Sequence, residues 1–192
     1  MTRRYPEDWE LRIVNRQRVR AVNTRLLQEI LAWWLQRHFH AQRAKLWVHL
    51  VSARVMASMN EHFLSHHGST DVITFDHSSL DHWAWSHAPG LMDAGEPAAA
   101  PHGRLFCGEM FVSIDDAIAQ AKQFRSRWTS ELARYVLHGL LHLAGYDDKQ
   151  ARSRRHMKRE EDRLLRLAQR AFPLERLHKK APAWRGSPPE KP

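Results

Sequence analysis

Two histidines four residues apart, His138 and His142, sit in the run His138-Gly139-Leu140-Leu141-His142-Leu143-Ala144-Gly145-Tyr146-Asp147-Asp148. On a helix that spacing puts both imidazoles on one face, where they can reach a single metal ion. Gly145 permits a left-handed helix end, so the chain can double back and bring Asp147 or Asp148 to the same point. Two imidazoles, a carboxylate and a water are an attested set for catalytic zinc, which polarises an oxygen and makes bound water nucleophilic near neutral pH. Asp148 fits as the third ligand of one zinc ion per chain, and Asp147 can instead orient a ligand from behind.

Spacing carries this reading, because histidine is abundant: 14 residues in 192. At that density about one His-x-x-x-His pair arises by chance, and His62 with His66 is a pair with nothing around it. His138 and His142 add an apolar helix, a glycine at the seventh position after the first histidine and a carboxylate at the tenth. Gly139 stands where a His-Glu-x-x-His peptidase has its general base, which counts against peptidase chemistry.

The same run resembles the signature of the bacterial YbeY family, metal-dependent single-strand endoribonucleases of rRNA maturation, which normally reads H-G-x-L-H-L-x-G-Y-D-H. Two further blocks agree in order and spacing. Asn60 with Thr70-Asp71-Val72-Ile73-Thr74-Phe75 is similar to the family's N-(x)₉-T-D-V-L-S-F segment, and Gly108-Glu109-Met110-Phe111-Val112 resembles its G-D-I-x-I strand. The chain departs twice. Asp148 replaces the usual third histidine ligand, and Leu64 stands where the family carries an arginine thought to contact RNA or assist cleavage, with His66 and His67 close by. The resemblance implies a zincin-like fold, zinc, and action on rRNA at the 16S 3′ end, in ribosome maturation and in quality control of ribosomal particles.

Charge points the same way. A net charge of +9 and a pI near 10.3 favour a polyanionic partner, which RNA, DNA or an anionic membrane surface would satisfy. Mean hydropathy is −0.61, no window approaches a membrane span, and the basic N-terminus lacks an apolar signal core. The single cysteine, Cys107, excludes an internal disulfide and lies in an apolar run as a core residue. These features predict a cytoplasmic protein without a membrane partner.

The elements that must position the ligands follow from periodicity. Strands are expected at Trp9–Val14, Lys45–Val51, Thr70–Phe75 and Arg104–Ile114. Helices are expected at Val19–Arg37, Ala53–Phe63, Ala117–Phe124 with Asp115-Asp116 as its cap, from Thr129 through the two histidines, and Gln150–Arg170. The last combines Met157, Leu164, Leu165 and Leu167 with eight Arg or Lys residues, readable either as a phosphate-tracking face or as a solvated face laced by ion pairs to Glu160, Glu161 and Asp162. Asp71 reads equally as a substrate-facing acceptor or as a turn carboxylate.

The fold expected is α+β: a small mixed sheet with packed helices and a zincin-like metal helix. Residues 1–172 form one domain with a loop insert at 76–103, whose spaced histidines match no regular period; 173–192 form a basic, Pro-rich, disordered tail. The expected function is a zinc-dependent endoribonuclease acting on single-stranded rRNA. Its rivals are a ribosome assembly factor with a structural metal and, further off, a metallopeptidase.

Overall fold

The computed structural model describes residues 5–78 and 104–179. Expectations placed on 79–103, including most of the insert with His82, His87 and His102, and on 180–192 lie outside the described residues. One mixed four-stranded sheet organises the rest. Strands β1 (Glu10–Asn15) and β2 (Ala41–Val51) are parallel, β4 (Arg104–Ser113) is parallel to β2, and β3 (Val72–Asp76) runs antiparallel on β4, in the order β1-β2-β4-β3. This is the α+β mixed sheet expected from the sequence.

Alternation divides the sheet into two faces. Leu46, Val48 and Leu50 of β2, with Phe106, Met110 and Val112 of β4, point into the main core. There they meet Leu27, Ile30, Leu31 and Leu35 of helix α1 (Thr24–Arg37) and Leu132, Val136 and Leu140 of helix α4 (Trp128–Leu143). On the opposite face, helix α2 (Ala53–Leu64) buries Met56 against Val51 and Ile73, with Phe75 and Phe111 packed around them. Each fully buried Leu or Met contributes about 1.5–3 kcal/mol of transfer free energy. The sheet therefore holds α4 from below and α2 from behind.

Local chemistry sets the helix ends, in places not where periodicity alone puts them. Helix α1 starts at Thr24 instead of Val19. The Gln17 side chain takes the amides of Val19 and Arg20 (2.6 and 2.9 Å) and donates to the Arg20 carbonyl, holding a turn, and Asn23 then caps the helix at the Leu26 amide. Helix α3 (Ile114–Gln123) is capped by Ser113 rather than by Asp115-Asp116. Asp115 instead accepts the Ala53 amide at 2.8 Å, supplying α2 with the cap its own Ser52 does not form.

Helix α5 (Ala151–Ala171) follows the ligand loop, and the ordered chain continues past 172. A 3₁₀ turn at Leu174–Leu177 buries Leu174 and Leu177 in the main core, and His178 bridges to Val22. Two leucines suffice to dock so short a segment against the core. At Gly108 the strands approach so closely that a Cβ would collide with the Phe75 carbonyl oxygen, so glycine is required for the β3–β4 pairing. No helix among the described residues is long and apolar enough to cross a membrane.

Candidate metal centre

Helix α4 presents His138 and His142 because its other faces are committed to packing. Gly139 lies against the sheet, where a Cβ would sit 3.2 Å from both Met110 Sδ and Val72 Cγ2 and 3.4 Å from Thr74 Oγ1. A larger side chain there would have to displace these side-chain atoms, so packing as well as sequence disfavours a glutamate at the position of the peptidase base. The helix ends as expected at Gly145, whose φ is +85°. The Tyr146 amide bonds to the Leu141 carbonyl and the Gly145 amide to the His142 carbonyl, the two bonds of a Schellman motif. That reversal brings Asp148 back to the histidines.

One ligand atom from each of His138, His142 and Asp148 lies within 4.8 Å of the others. The two Nε2 atoms are 3.1 Å apart, and His138 Nε2 is 4.0 Å from Asp148 Oδ2. The remaining ring nitrogens fix the tautomers. His138 Nδ1 donates to Glu161 Oε2 at 2.9 Å, and His142 Nδ1 donates to the Tyr146 carbonyl at 3.2 Å; a carboxylate and a carbonyl can only accept. Both Nδ1 atoms therefore carry hydrogen, and both Nε2 lone pairs face one another. Two lone pairs at this distance repel unless a proton or a cation lies between them, and an imidazole pair beside a carboxylate is a donor set suited to a divalent metal. The residues present fit such an ion.

The protonation tendencies of the two rings differ. Burial opposes charge on His138, but the hydrogen bond and charge of Glu161, aided by Asp71 and Asp148, outweigh it and raise the pKa. Burial and the neighbouring His138 lower that of His142. His138 thus takes up a proton more readily than an ordinary imidazole, and His142 less readily.

Glu161 is the residue sequence reasoning missed as part of the site, having read it as a surface ion-pair partner. It is 4% exposed, and burial alone would raise its pKa; hydrogen bonds from His138, Lys158 and Arg134 hold it down at about 2. Arg134 Nη1 lies 2.6 Å from Glu161 and 2.7 Å from Asp162, and Lys158 Nζ 2.7 Å from Glu161. A signal existed. Glu161 shares the buried phase of α5 with Met157, Leu164, Leu165 and Ala168, a place where an unpaired carboxylate is not tolerated.

A cleft of about 280 Å³ opens beside the ligands, lined by Asp71, Arg134, Tyr135, His138, Asp148 and Arg154 among others. A larger one, of about 540 Å³ near Arg127 and Glu175, contains none of the three ligands. Asp71 lines the cleft, and its Oδ1 accepts from the Val72 amide and the Thr70 hydroxyl at 3.0 Å, the bonds of a turn carboxylate. Burial, then the carboxylates of Asp71, Glu131 and Asp116, raise the Tyr135 pKa and keep its hydroxyl protonated.

Other candidates are not brought to the site. His66 lies beyond the end of α2, so His62 and His66 share no helix face; His67 is exposed, 3.3 Å from Glu61. Neither His66 nor His67 lines the cleft, and Leu64 is exposed at the end of α2. Asn60 is buried and donates to the Gly68 carbonyl at 2.9 Å, tying α2 to the loop that delivers Asp71. Cys107 is buried in β4.

Comparison with known proteins follows this geometry. The family model described as Endoribonuclease YbeY matches residues 12–169. Among curated relatives, the Endoribonuclease YbeY of Chlorobium phaeovibrioides is 33% identical over 114 residues, 59% of this chain and 62% of that one. That of Salinibacter ruber is 33% identical over 107 residues, 56% of this chain and 59% of its own. The matched segment thus spans less than two thirds of these relatives' length. The solution structure of a Thermotoga maritima protein is similar in fold, with a TM-score of 0.52 at 22% identity, covering 95% of this chain and 99% of that one.

Proposed function

The chain belongs to the YbeY family, and we propose that it is a zinc-dependent endoribonuclease that cuts single-stranded RNA in the cytoplasm. On this reading its target is ribosomal RNA, with the 16S 3′ end and the quality control of ribosomal particles as its setting. The observation that carries the proposal is the pair of Nε2 lone pairs held face to face beside Asp148 at the edge of an open cleft.

His138, His142 and Asp148 would hold the zinc, which supplies Lewis-acid polarisation of a phosphoryl oxygen and an activated water. The chain's own residues do the rest. Glu161 keeps the His138 Nδ1 proton in place and the Tyr146 carbonyl keeps that of His142, so both rings offer Nε2. Arg134 and Lys158 hold Glu161 in turn. Arg154 and Lys158 bring positive charge to the cleft, where Leu64 provides none, and can receive a phosphate. With three protein ligands and an adjoining cleft, the arrangement favours an open, catalytic site over a closed structural one.

The test is metal analysis of the wild type, His142→Ala and Asp148→Ala, with single-stranded RNA cleavage scored on the same samples. Near-stoichiometric zinc, lost with cleavage in both variants, is the expected result. Zinc retained in His142→Ala would remove the proposed site. Bound zinc without cleavage in the wild type would favour an assembly factor with a structural metal.

A further inference from the structure

The outward face of α5 is a row of arginines. Arg152, Arg155, Arg159, Arg163, Arg166 and Arg170 recur at intervals of three or four residues, so they fall on one stripe, and all six are exposed. The stripe lies opposite the buried face made by Met157, Glu161, Leu164, Leu165 and Ala168. At 1.5 Å of rise per residue it runs for about 27 Å, with a guanidinium every 4.5–6 Å or so along the axis. Among the described residues only Arg163 has an ion-pair partner on this stripe, Glu160 at 2.6 Å. A face stabilised by internal ion pairs would place carboxylates between the cations. Here Glu160, Glu161 and Asp162 cluster in mid-helix, and Glu161 turns inward.

We infer that this ridge is a docking surface for the phosphate backbone of an RNA that extends beyond the cleft, separate from the contacts at the cut. Arginine suits phosphate through its planar, bidentate fork, and a one-sided row of six is the electrostatic footprint of a polyanion. A lipid surface fits less well, because the apolar side of α5 is already buried in the core and has nothing to insert. Geometry fixes the relation to the cleft. Glu161, on the inner side, touches His138, so the ridge lies across the helix, about 10 Å away. A strand of a few nucleotides in the cleft can touch at most the near part of a row about 27 Å long, whereas a longer RNA can follow the helix outward and contact more of it.

The inference rests on RNA being the substrate, and binding separates it from the cleavage reading. The full chain would be compared with a variant carrying Arg152→Gln, Arg155→Gln, Arg159→Gln and Arg166→Gln, chosen because glutamine is a good helix former. A control removes the same charge elsewhere on the surface through Arg16→Gln, Arg18→Gln, Arg20→Gln and Arg125→Gln. Binding to fluorescent RNAs of about 40 and about six nucleotides would be followed by anisotropy across a salt series. The ridge variant is expected to lose about tenfold or more in affinity for the long RNA, with a log–log salt slope shallower by about 3, and little affinity for the short one. The control should keep most of its long-RNA affinity.

Equal losses in ridge and control variants would reduce the effect to net charge and overturn the inference, as would unchanged long-RNA binding in the ridge variant. Ridge-dependent binding to phosphatidylglycerol vesicles with RNA affinity intact would overturn it in favour of a membrane surface. Ridge-dependent binding of long RNA by a wild type that cleaves neither RNA would uphold the ridge and sink the endoribonuclease reading alone.

Discussion

Replacing Glu161 with glutamine should weaken metal binding without removing a ligand. The carboxylate is 4% exposed, accepts from His138 Nδ1 at 2.9 Å and is held by Arg134 and Lys158 at 2.6 and 2.7 Å. Glutamine keeps the shape and can still accept from the imidazole, but it carries no charge. Losing such a partner behind a ligating histidine typically reduces metal affinity about 10–100-fold, or roughly 1.4–2.7 kcal/mol. In metal-free protein the same change leaves Arg134 with Asp162 and Glu131 as partners, and Lys158 with Asp162 at 3.5 Å. Folding stability should therefore drop by about 3 kcal/mol, near the lower end for breaking a buried pair.

Two assays separate these effects: urea unfolding in the presence of a chelator, and zinc competition against a chromophoric chelator under conditions where both proteins are folded. Glu161→Ala, which abolishes the acceptor, should lose more of both quantities. Wild-type zinc affinity in Glu161→Gln, to within about twofold, would refute the claim that this carboxylate sets the basicity and orientation of His138.

Gly108→Ala should destabilise the fold by about 3 kcal/mol in urea titrations, because the added methyl meets a backbone carbonyl that cannot move without unpairing β3; an effect under about 1 kcal/mol would show that the strand edge yields. Asp115→Ala should cost about 1 kcal/mol by loss of the α2 cap, read as a lower thermal midpoint, and Ser52→Ala should cost little, since Ser52 forms no cap bond. His49 is 4% exposed, stacked on Phe111 at 4.5 Å, with Nε2 3.2 Å from Glu109 and Nδ1 without a partner among the described residues. Burial lowers its pKa, with Arg16 adding to the effect against the opposing pull of Glu109. The unfolded chain then binds the proton more readily, so this residue's contribution to stability is intact above its ordinary pKa and falls as pH drops below about 6.5. Urea midpoints from about pH 7.5 to about 5.5 should fall more for the wild type than for His49→Phe, and parallel curves would exclude the assignment.

Most of the regular structure was legible because each element carries a local signal. The alternation in Lys45–Val51 and Thr70–Phe75 located strands that differ from the observed β2 and β3 mainly in their ends. The histidine spacing and Gly145 gave the helix, its left-handed termination and the return of Asp148. What escaped depends on contacts between distant segments. Asp115 caps a helix 62 positions away, and Leu174 and Leu177 dock a turn that composition alone assigns to a tail. Glu161 was half-visible: its phase marks it as buried, but nothing in the sequence says that the partner across the helix pair is His138.

The three donors are held with unequal stiffness, and this follows from the same packing. His138 and His142 ride on a helix pressed onto the sheet at Gly139, where the nearest strand atoms leave no room for even one methyl without displacement. Their separation is thus set by the core. Asp148 rides on the segment after Gly145 with its side chain 44% exposed, held chiefly through its carbonyl, which accepts from Arg154 Nε at 2.8 Å while Arg154 Nη2 reaches the Lys149 carbonyl at 3.3 Å. At 4.0 Å from His138 Nε2, its carboxylate is also the donor farther from that ring nitrogen, against 3.1 Å for His142. Were an ion bound, its accommodation would fall to the loop, with the Asp148 carboxylate adjusting to the imidazole pair and Arg154, on the first turn of α5, tethering the Asp148 and Lys149 carbonyls.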